Sequence, residues 1–251
     1  MPILTLTKHH GLGNDFLVLL DPSGSTPLTA DLARELCDRH TGVGADGLVR
    51  ATLGPAPAAA TFELRNADGS QAEMSGNGMR CLAQALVDAG LVAGPDFEVA
   101  TVAGVRHVAV GEETSPGLRQ VSVDMGVAKV EDHGLGALVD LGNPHYVIVD
   151  QDRSRDLATM GQAHPHLNVE LIAVTGEDHI DLRVWERGVG ATLACGTGSC
   201  AAAAAASSWG LVGPRVVVHN PGGDVTVDTS GERVVLTGPT QFVARVEVPV
   251  L

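Results

Sequence analysis

Ala191-Thr192-Leu193-Ala194-Cys195-Gly196-Thr197-Gly198-Ser199-Cys200 runs directly into six alanines, Ala201 to Ala206. A cysteine is followed by a small, glycine-broken turn and then by a strong helix former. A chain that enters a helix this way leaves its first N–H groups without intrahelical acceptors. Together with the helix dipole, those groups suit a carboxylate or a phosphate. Cys195 stands at the lip of that position, where a helix N-terminus is expected to lower the thiol pKa and favour the thiolate. A cysteine beside an alanine helix is also an ordinary packing element, so the stretch alone leaves two readings open.

A second copy favours the chemical one. Glu73-Met74-Ser75-Gly76-Asn77-Gly78-Met79-Arg80-Cys81 has the same layout. It leads into an apolar helical pattern, Leu82, Ala85, Leu86 and Ala89, stopped by Gly90. Ser75 takes the place that Cys195 holds in the other copy. Upstream, Leu141-Gly142-Asn143-Pro144-His145-Tyr146-Val147-Ile148-Val149 echoes Leu12-Gly13-Asn14-Asp15-Phe16-Leu17-Val18-Leu19. Each half thus presents a Gly-Asn turn, an apolar strand and, later, a Ser or Cys turn at a helix start. This plan predicts two duplicated α+β domains facing one another, an arrangement whose interface favours a ligand.

Between these landmarks the pattern predicts a strand–turn–strand over 3–20 and a helix from Leu28 to Arg39 with Thr29 as N-cap. Gly42-Val43-Gly44-Ala45-Asp46-Gly47 matches a dinucleotide fingerprint in spelling only. It follows a helix and leads into a strand, the reverse of what that motif needs, so it reads as a tight turn. Gly54 to Ala60 reads as a loop, 97–110 as two strands, Glu112 to Gly117 as a polar loop, and Val121, Val123 and Met125 as a strand. Asn220-Pro221-Gly222-Gly223-Asp224 signals a hairpin, followed by separate strands at Val234–Leu236 and Phe242–Val248.

The 251 residues allow one large or two small domains. Hydrophobic residues make up 44% and aromatics 3%, so the core must be built from Val, Leu and Ala. A net charge of −14 argues against nucleic acid. Four cysteines without a C-x-x-C pair suggest neither zinc nor a redox couple. His164-Pro165-His166, with no third ligand in view, reads as solvent-facing and not as a metal site. The N-terminus lacks signal-peptide character and no apolar run is long enough for a membrane span. The expectation is a cytoplasmic protein with reduced thiols.

Two anion-binding helix starts, each with a nucleophile or base at its lip, suit proton exchange at the α-carbon of an amino acid. Backbone N–H groups hold the α-carboxylate and stabilise the developing enediolate, while one side chain removes the proton and another returns one on the opposite face. The chain has two lysines, Lys8 and Lys129, neither in a recurring motif. A pyridoxal Schiff base is therefore not expected.

Asn66-Ala67-Asp68-Gly69-Ser70, Ser75-Gly76-Asn77-Gly78, Gly142-Asn143-Pro144-His145, Glu186-Arg187-Gly188, Cys195-Gly196-Thr197-Gly198 and Pro221-Gly222-Gly223 together resemble the diaminopimelate epimerase family nearly end to end. The resemblance implies an α+β fold of two pseudo-symmetric domains with the active site in the cleft between them. It places the first at 1–117, completed by the last strand, 241–251, and the second at 118–240. It implies cofactor-independent epimerisation of LL- to meso-diaminopimelate, a lysine and peptidoglycan precursor, with no metal and a homodimeric assembly. Cys195 and position 75 would be the two acid/bases, polarised by His145 and Glu186. Gly76, Asn77, Gly196 and Thr197 would hold the α-carboxylate and α-amino end. Asn14, Asn66, Asn143, Asn168, Glu186 and Arg187 would line the substrate. Arg187, a planar fork, suits the distal carboxylate.

The family has cysteine where this chain has Ser75. A hydroxyl is a far weaker acid than a thiol and a poor proton shuttle without a base. Three accounts follow: a Cys→Ser change introduced into an epimerase, a natural one-thiol lyase, isomerase or racemase of the same fold, or a non-catalytic amino acid-binding protein. Gly47, polar in some family members, and Ala191, commonly acidic, are smaller departures.

Overall fold

The computed structural model describes residues 3–72 and 74–249. Met1, Pro2, Glu73 of the Ser75 stretch, and residues 250 and 251 of the expected last strand lie outside the described residues. The chain divides into two compact units, Met1–Val123 with Pro239–Leu251, and Asp124–Gly238.

In the first unit, β1 (Ile3–Gly11) and β2 (Asn14–Leu20) form an antiparallel hairpin that pairs His9 with Phe16. A crossover through α1 (Ala30–Cys37), capped by Thr29, brings β3 (Gly47–Ala51) parallel to β2. After the short β4 (Ala60–Thr61), β5 (Glu63–Asn66) pairs antiparallel with β3 and with β6 (Gln71–Ala72). Then α2 (Gly76–Asp88) begins at Ser75. β7 (Asp96–Thr101), β8 (Gly104–Ser115) and β9 (Leu118–Gly126) follow as an antiparallel meander. Leu6, Leu17, Leu19, Leu36 and Leu48 are buried together against the α1 side. The polar run from Glu112, read as a loop, instead continues β8 to Ser115. Its residues are all exposed, so a polar sequence is compatible with an extended, solvent-facing strand end.

The second unit repeats the plan. β10 (Lys129–His133), β11 (Gly136–Asp140) and β12 (Pro144–Val149) run antiparallel. A crossover through α3 (Leu157–Ala163) sets β13 (Asn168–Gly176) parallel to β12. β14 (His179–Glu186) returns antiparallel and meets the short β15 (Gly190–Ala191). Then α4 (Gly196–Ser208) begins at Cys195. β16 (Arg215–Asn220) lies parallel to β14, and β17 (Gly223–Asp228) closes the expected hairpin. β18 (Val234–Pro249) is one strand rather than two. It pairs with β17 through Leu236 and with β1 through Val246.

α2 and α4 match turn for turn. Each has 13 residues. Each ends in a glycine of positive φ, Gly90 or Gly210, whose neighbour's N–H returns to a carbonyl one turn earlier: Leu91 to Leu86 and Leu211 to Ala206, both at 3.0 Å. That is the glycine-terminated helix stop. The alanines of α4 are all buried. A helix that is apolar all round requires burial on every side, and alanine lets the surrounding strands approach it closely.

One buried base in the first unit makes a pH prediction. His9 is 1% exposed, held by Gln84 Oε1 at 3.3 Å and Thr7 Oγ1 at 3.0 Å. Burial lowers its pKa from 6.5 to about 4. The unfolded chain therefore takes up this proton first, and folding stability is lost as pH falls from 6.5 towards 4. The drop corresponds to ~3 kcal/mol. Denaturant unfolding at pH 7 and pH 4 is expected to show this loss, and His9→Gln to show a correspondingly smaller one.

Candidate active site

In the first unit, Ser75 is the N-cap of α2. Its Oγ accepts the Gly78 N–H at 3.1 Å. Gly76 and Asn77 occupy the first two helical positions, whose N–H groups have no acceptor inside their own helix. Asn77 is joined to Asn14 by a chain of defined direction. Arg80 Nη2 donates to Asn77 Oδ1 at 2.8 Å, Asn77 Nδ2 donates to Asn14 Oδ1 at 3.0 Å, and Asn14 Nδ2 donates to Asp46 Oδ2 at 2.7 Å. A guanidinium only donates and a carboxylate only accepts, so the two charged ends dictate both amide orientations. Asp46 is itself held by Arg39 at 2.8 Å, which also binds Asp15 at 2.6 Å. Asn66 stands apart from this chain. It pairs in register with Gly47 and its exposed amide donates to Ser70 Oγ at 3.0 Å. A Cβ at Gly47 would meet Arg65 O at 2.9 Å and Leu64 Cδ1 at 3.0 Å, so the space a polar side chain would need there is filled.

In the second unit, Cys195 is the N-cap of α4. Its Sγ accepts the Gly198 N–H at 3.3 Å and lies 3.5 Å from Thr197 Oγ1. Gly196 and Thr197 hold the first two helical positions. Asn143 Nδ2 reaches Thr197 Oγ1 at 3.2 Å, and Asn143 Oδ1 meets His145 Nε2 at 3.1 Å. His145 Nδ1 meets Glu170 Oε1 at 2.7 Å, with both side chains wholly buried. Glu186 receives the Thr192 hydroxyl at 2.5 Å, and its charge acts on Cys195. Asn168 ties the neighbourhood together, donating to Pro144 O at 3.2 Å and accepting the Arg187 N–H at 2.9 Å. Arg187 is exposed, with its guanidinium 3.5 Å from the His166 carbonyl. α3 sets this strand end: Gly161 lies under the Trp185 indole, where a Cβ would come within 2.2 Å of the ring.

The thiol is not the activated one expected from the helix terminus. Burial pushes the Cys195 pKa well up, and the charges of Glu186 and Glu170 push it further. The Thr197 and Gly198 hydrogen bonds pull the other way and are outweighed. Burial likewise raises Glu186. The resting sulfur is therefore a thiol, beside a carboxyl group whose ionisation burial also disfavours. All four cysteines are free and buried. Among the described residues no cluster of His, Cys, Asp or Glu could hold a metal, and no helix is long and apolar enough to cross a membrane. His164 of the His-Pro-His stretch is half-buried, edge-on to Tyr146 at 4.9 Å, while His166 is exposed.

Residues 6–131 and 137–243 match the family described as diaminopimelate epimerase. The diaminopimelate epimerase of Synechocystis sp. is 39% identical over 278 aligned positions, spanning 96% of this chain and 97% of its own. That of Corynebacterium glutamicum is 38% identical, spanning 98% and 99%. The chain belongs to the diaminopimelate epimerase family. Among solved structures, a PhzF-family phenazine biosynthesis protein from Bacillus anthracis superposes with TM-score 0.78 at 15% identity over the full length of both chains. A hydroxyproline epimerase from Agrobacterium vitis superposes with TM-score 0.69 at 15% identity, covering 98% of this chain and 92% of its own. These two share the fold.

The sequence reading of this family member missed Glu170. Its signal was present: a lone acid inside Asn168-Val169-Glu170-Leu171-Ile172-Ala173, an otherwise apolar strand. Glu170 also explains an asymmetry between the two matched turns. A Cβ at Gly198 would meet Glu170 Oε1 at 2.8 Å and Cys195 Sγ at 3.3 Å, whereas one at Gly78 would meet nothing closer than Ser75 Cβ at 3.3 Å. Gly198→Ala is expected to cost about 1–3 kcal/mol of folding stability. Gly78→Ala, which gains helix propensity, is expected to cost less than about 1 kcal/mol. Urea denaturation of the two variants checks the difference.

Proposed function

We propose that this chain interconverts LL- and meso-diaminopimelate by proton transfer at the α-carbon, without a cofactor. The observation that carries the reading is Cys195 at the start of α4, facing the charge of Glu186 and beside Thr197 and Gly198. The Cys195 thiolate takes the α-proton on one face, with His145 and Glu186 polarising that position. Gly76, Asn77, Gly196 and Thr197 hold the α-carboxylate and α-amino end, so that the N–H dipoles meet charge as it develops. Asn14, Asn66, Asn143 and Asn168 line the substrate. Arg187 pairs with the distal carboxylate through its two-pronged guanidinium. Amine chemistry through a Schiff base finds no support: Lys8 is occupied by Gly44 O at 2.6 Å and Asp15 at 2.9 Å, and Lys129 sits exposed in β10.

The second face falls to position 75, where the hydroxyl is a weak acid already engaged as a helix cap. Exchange on the Cys195 face is therefore expected to outrun inversion in this chain. A one-thiol lyase or isomerase is the second reading, favoured by Ser75 alone.

Incubation with LL- and meso-diaminopimelate in D₂O, followed by NMR, tests both. Ser75→Cys is expected to raise inversion by about 10²-fold or more, the size of a general acid/base contribution. Cys195→Ala is expected to abolish α-proton exchange. Loss of ammonia or water would support the lyase, and binding without any exchange would leave only an amino acid-binding role.

A further inference from the structure

Glu170 lies in β13 among Val169, Leu171 and Ile172, all buried, and is itself 0% exposed. A carboxylate in such a place needs a partner. Oε1 finds it in His145 Nδ1 at 2.7 Å, while Oε2 has no hydrogen-bond partner among the described residues. An ionised carboxylate only accepts, so Nδ1 carries a proton. The exchangeable position on the ring is then Nε2, which faces Asn143, then Thr197, then the Cys195 sulfur, at 3.1, 3.2 and 3.5 Å.

We propose that Glu170 is a positioning residue: it keeps the His145 proton on Nδ1, so that protonation at Nε2 sets the direction of the hydrogen-bond chain reaching Cys195. The inference rests on Cys195 acting as an acid/base, as proposed above.

Two directions satisfy each donor and acceptor of this chain. In the first, Nε2 is protonated and donates to Asn143 Oδ1. Asn143 Nδ2 donates to Thr197 Oγ1, and the Thr197 hydroxyl donates to a Cys195 thiolate. The sulfur then receives two donors, the hydroxyl and the Gly198 N–H. In the second, the Asn143 amide is turned over, an orientation that places its atoms in the same positions. Its Nδ2 donates to a bare Nε2, the Thr197 hydroxyl donates to Oδ1, and the sulfur keeps its proton as a thiol with one donor fewer. The two arrangements differ in where one proton sits, on Nε2 or on Sγ, and total charge is unchanged. The sulfur needs the extra donor because burial and the facing Glu186 and Glu170 charges all oppose its ionisation. A neutral residue at 170 would relieve one of those charges but lose control of the ring, and the proposal holds that the second effect is larger.

Nitrogen-15 NMR of the histidine side chains reads the tautomer without turnover, with His145 assigned by the signals lost in His145→Gln. In the unsubstituted chain His145 is expected to be protonated at Nδ1, and a bare Nδ1 overturns the proposal. In Glu170→Gln, whose amide offers Nδ1 either a donor or an acceptor, both tautomers are expected. In a Ser75→Cys background, Glu170→Gln is expected to lower kcat for α-proton exchange roughly 10- to 100-fold, the size usual for a group that orients another, with KM within about twofold. Thr197→Val is expected to lower kcat about tenfold and leave the His145 tautomer untouched. A lower Tm for Glu170→Gln with tautomer and kcat unchanged means a structural role only and overturns the proposal. If Glu170→Gln does not fold, the unsubstituted spectrum and Thr197→Val decide. If the Ser75→Cys protein exchanges no α-proton, the proposed function fails. The chain's direction is then judged by iodoacetamide alkylation of Cys195, expected to slow about tenfold in Thr197→Val, and an unchanged rate overturns the inference.

Discussion

An N-cap must accept a backbone N–H, and under the proposed function the same atom at two places in this chain is also asked to exchange a proton. Ser75 Oγ and Cys195 Sγ each hold the N–H three residues on, at 3.1 and 3.3 Å. The demands conflict. Oxygen is the better cap, contributing about 1 kcal/mol over a residue that cannot cap, while sulfur is a weak acceptor but a far stronger acid. The first unit carries the better cap and the second the better acid. The surrounding structure serves the turn in both. Glycine three residues after the cap keeps space beside it, and a glycine stop fixes the helix length.

The side chains next to the two caps are organised on different principles. In the first unit the amides of Asn77 and Asn14 are locked between Arg80, which only donates, and Asp46, which only accepts. Such a chain has one direction and presents a constant face. In the second unit the chain from His145 through Asn143 and Thr197 ends in groups that can each donate or accept. Its direction is free to follow a proton. A fixed lattice suits recognition, and a reversible one suits chemistry.

The duplicated architecture was legible because it is written in local signals. A Gly-Asn turn, a glycine-broken cap and a glycine stop each act within a few residues, and they recur in order. What escaped the sequence reading depends on distant groups. The lowering expected for Cys195 follows from the helix end alone. Its reversal comes from burial and from two carboxylates brought in by other strands. β18 reads as two strands because Gly238-Pro239 interrupts the apolar pattern, yet pairing on different partners carries it straight through. Asn14, Asn77, Asn143 and Asn168 were picked out by family motif. Arg80 and Asp46, which orient two of them, look from the sequence like a helix cation and a turn acid.

β18 has a further consequence, for the order in which the chain can become complete. The first unit includes Pro239–Leu251 as well as Met1–Val123, so its opening strand, paired with β2 on one edge, waits for a partner on the other until all of Asp124–Gly238 has been synthesised. Strands β10 to β17, by contrast, find their partners close in sequence. On the ribosome the second unit can finish folding while β1 still has an unpaired edge, and an unpaired edge invites association with another chain. Thr5, Thr7, Lys8 and His10 along β1 give that edge polar and charged side chains, which discourage a wrong partner during the delay.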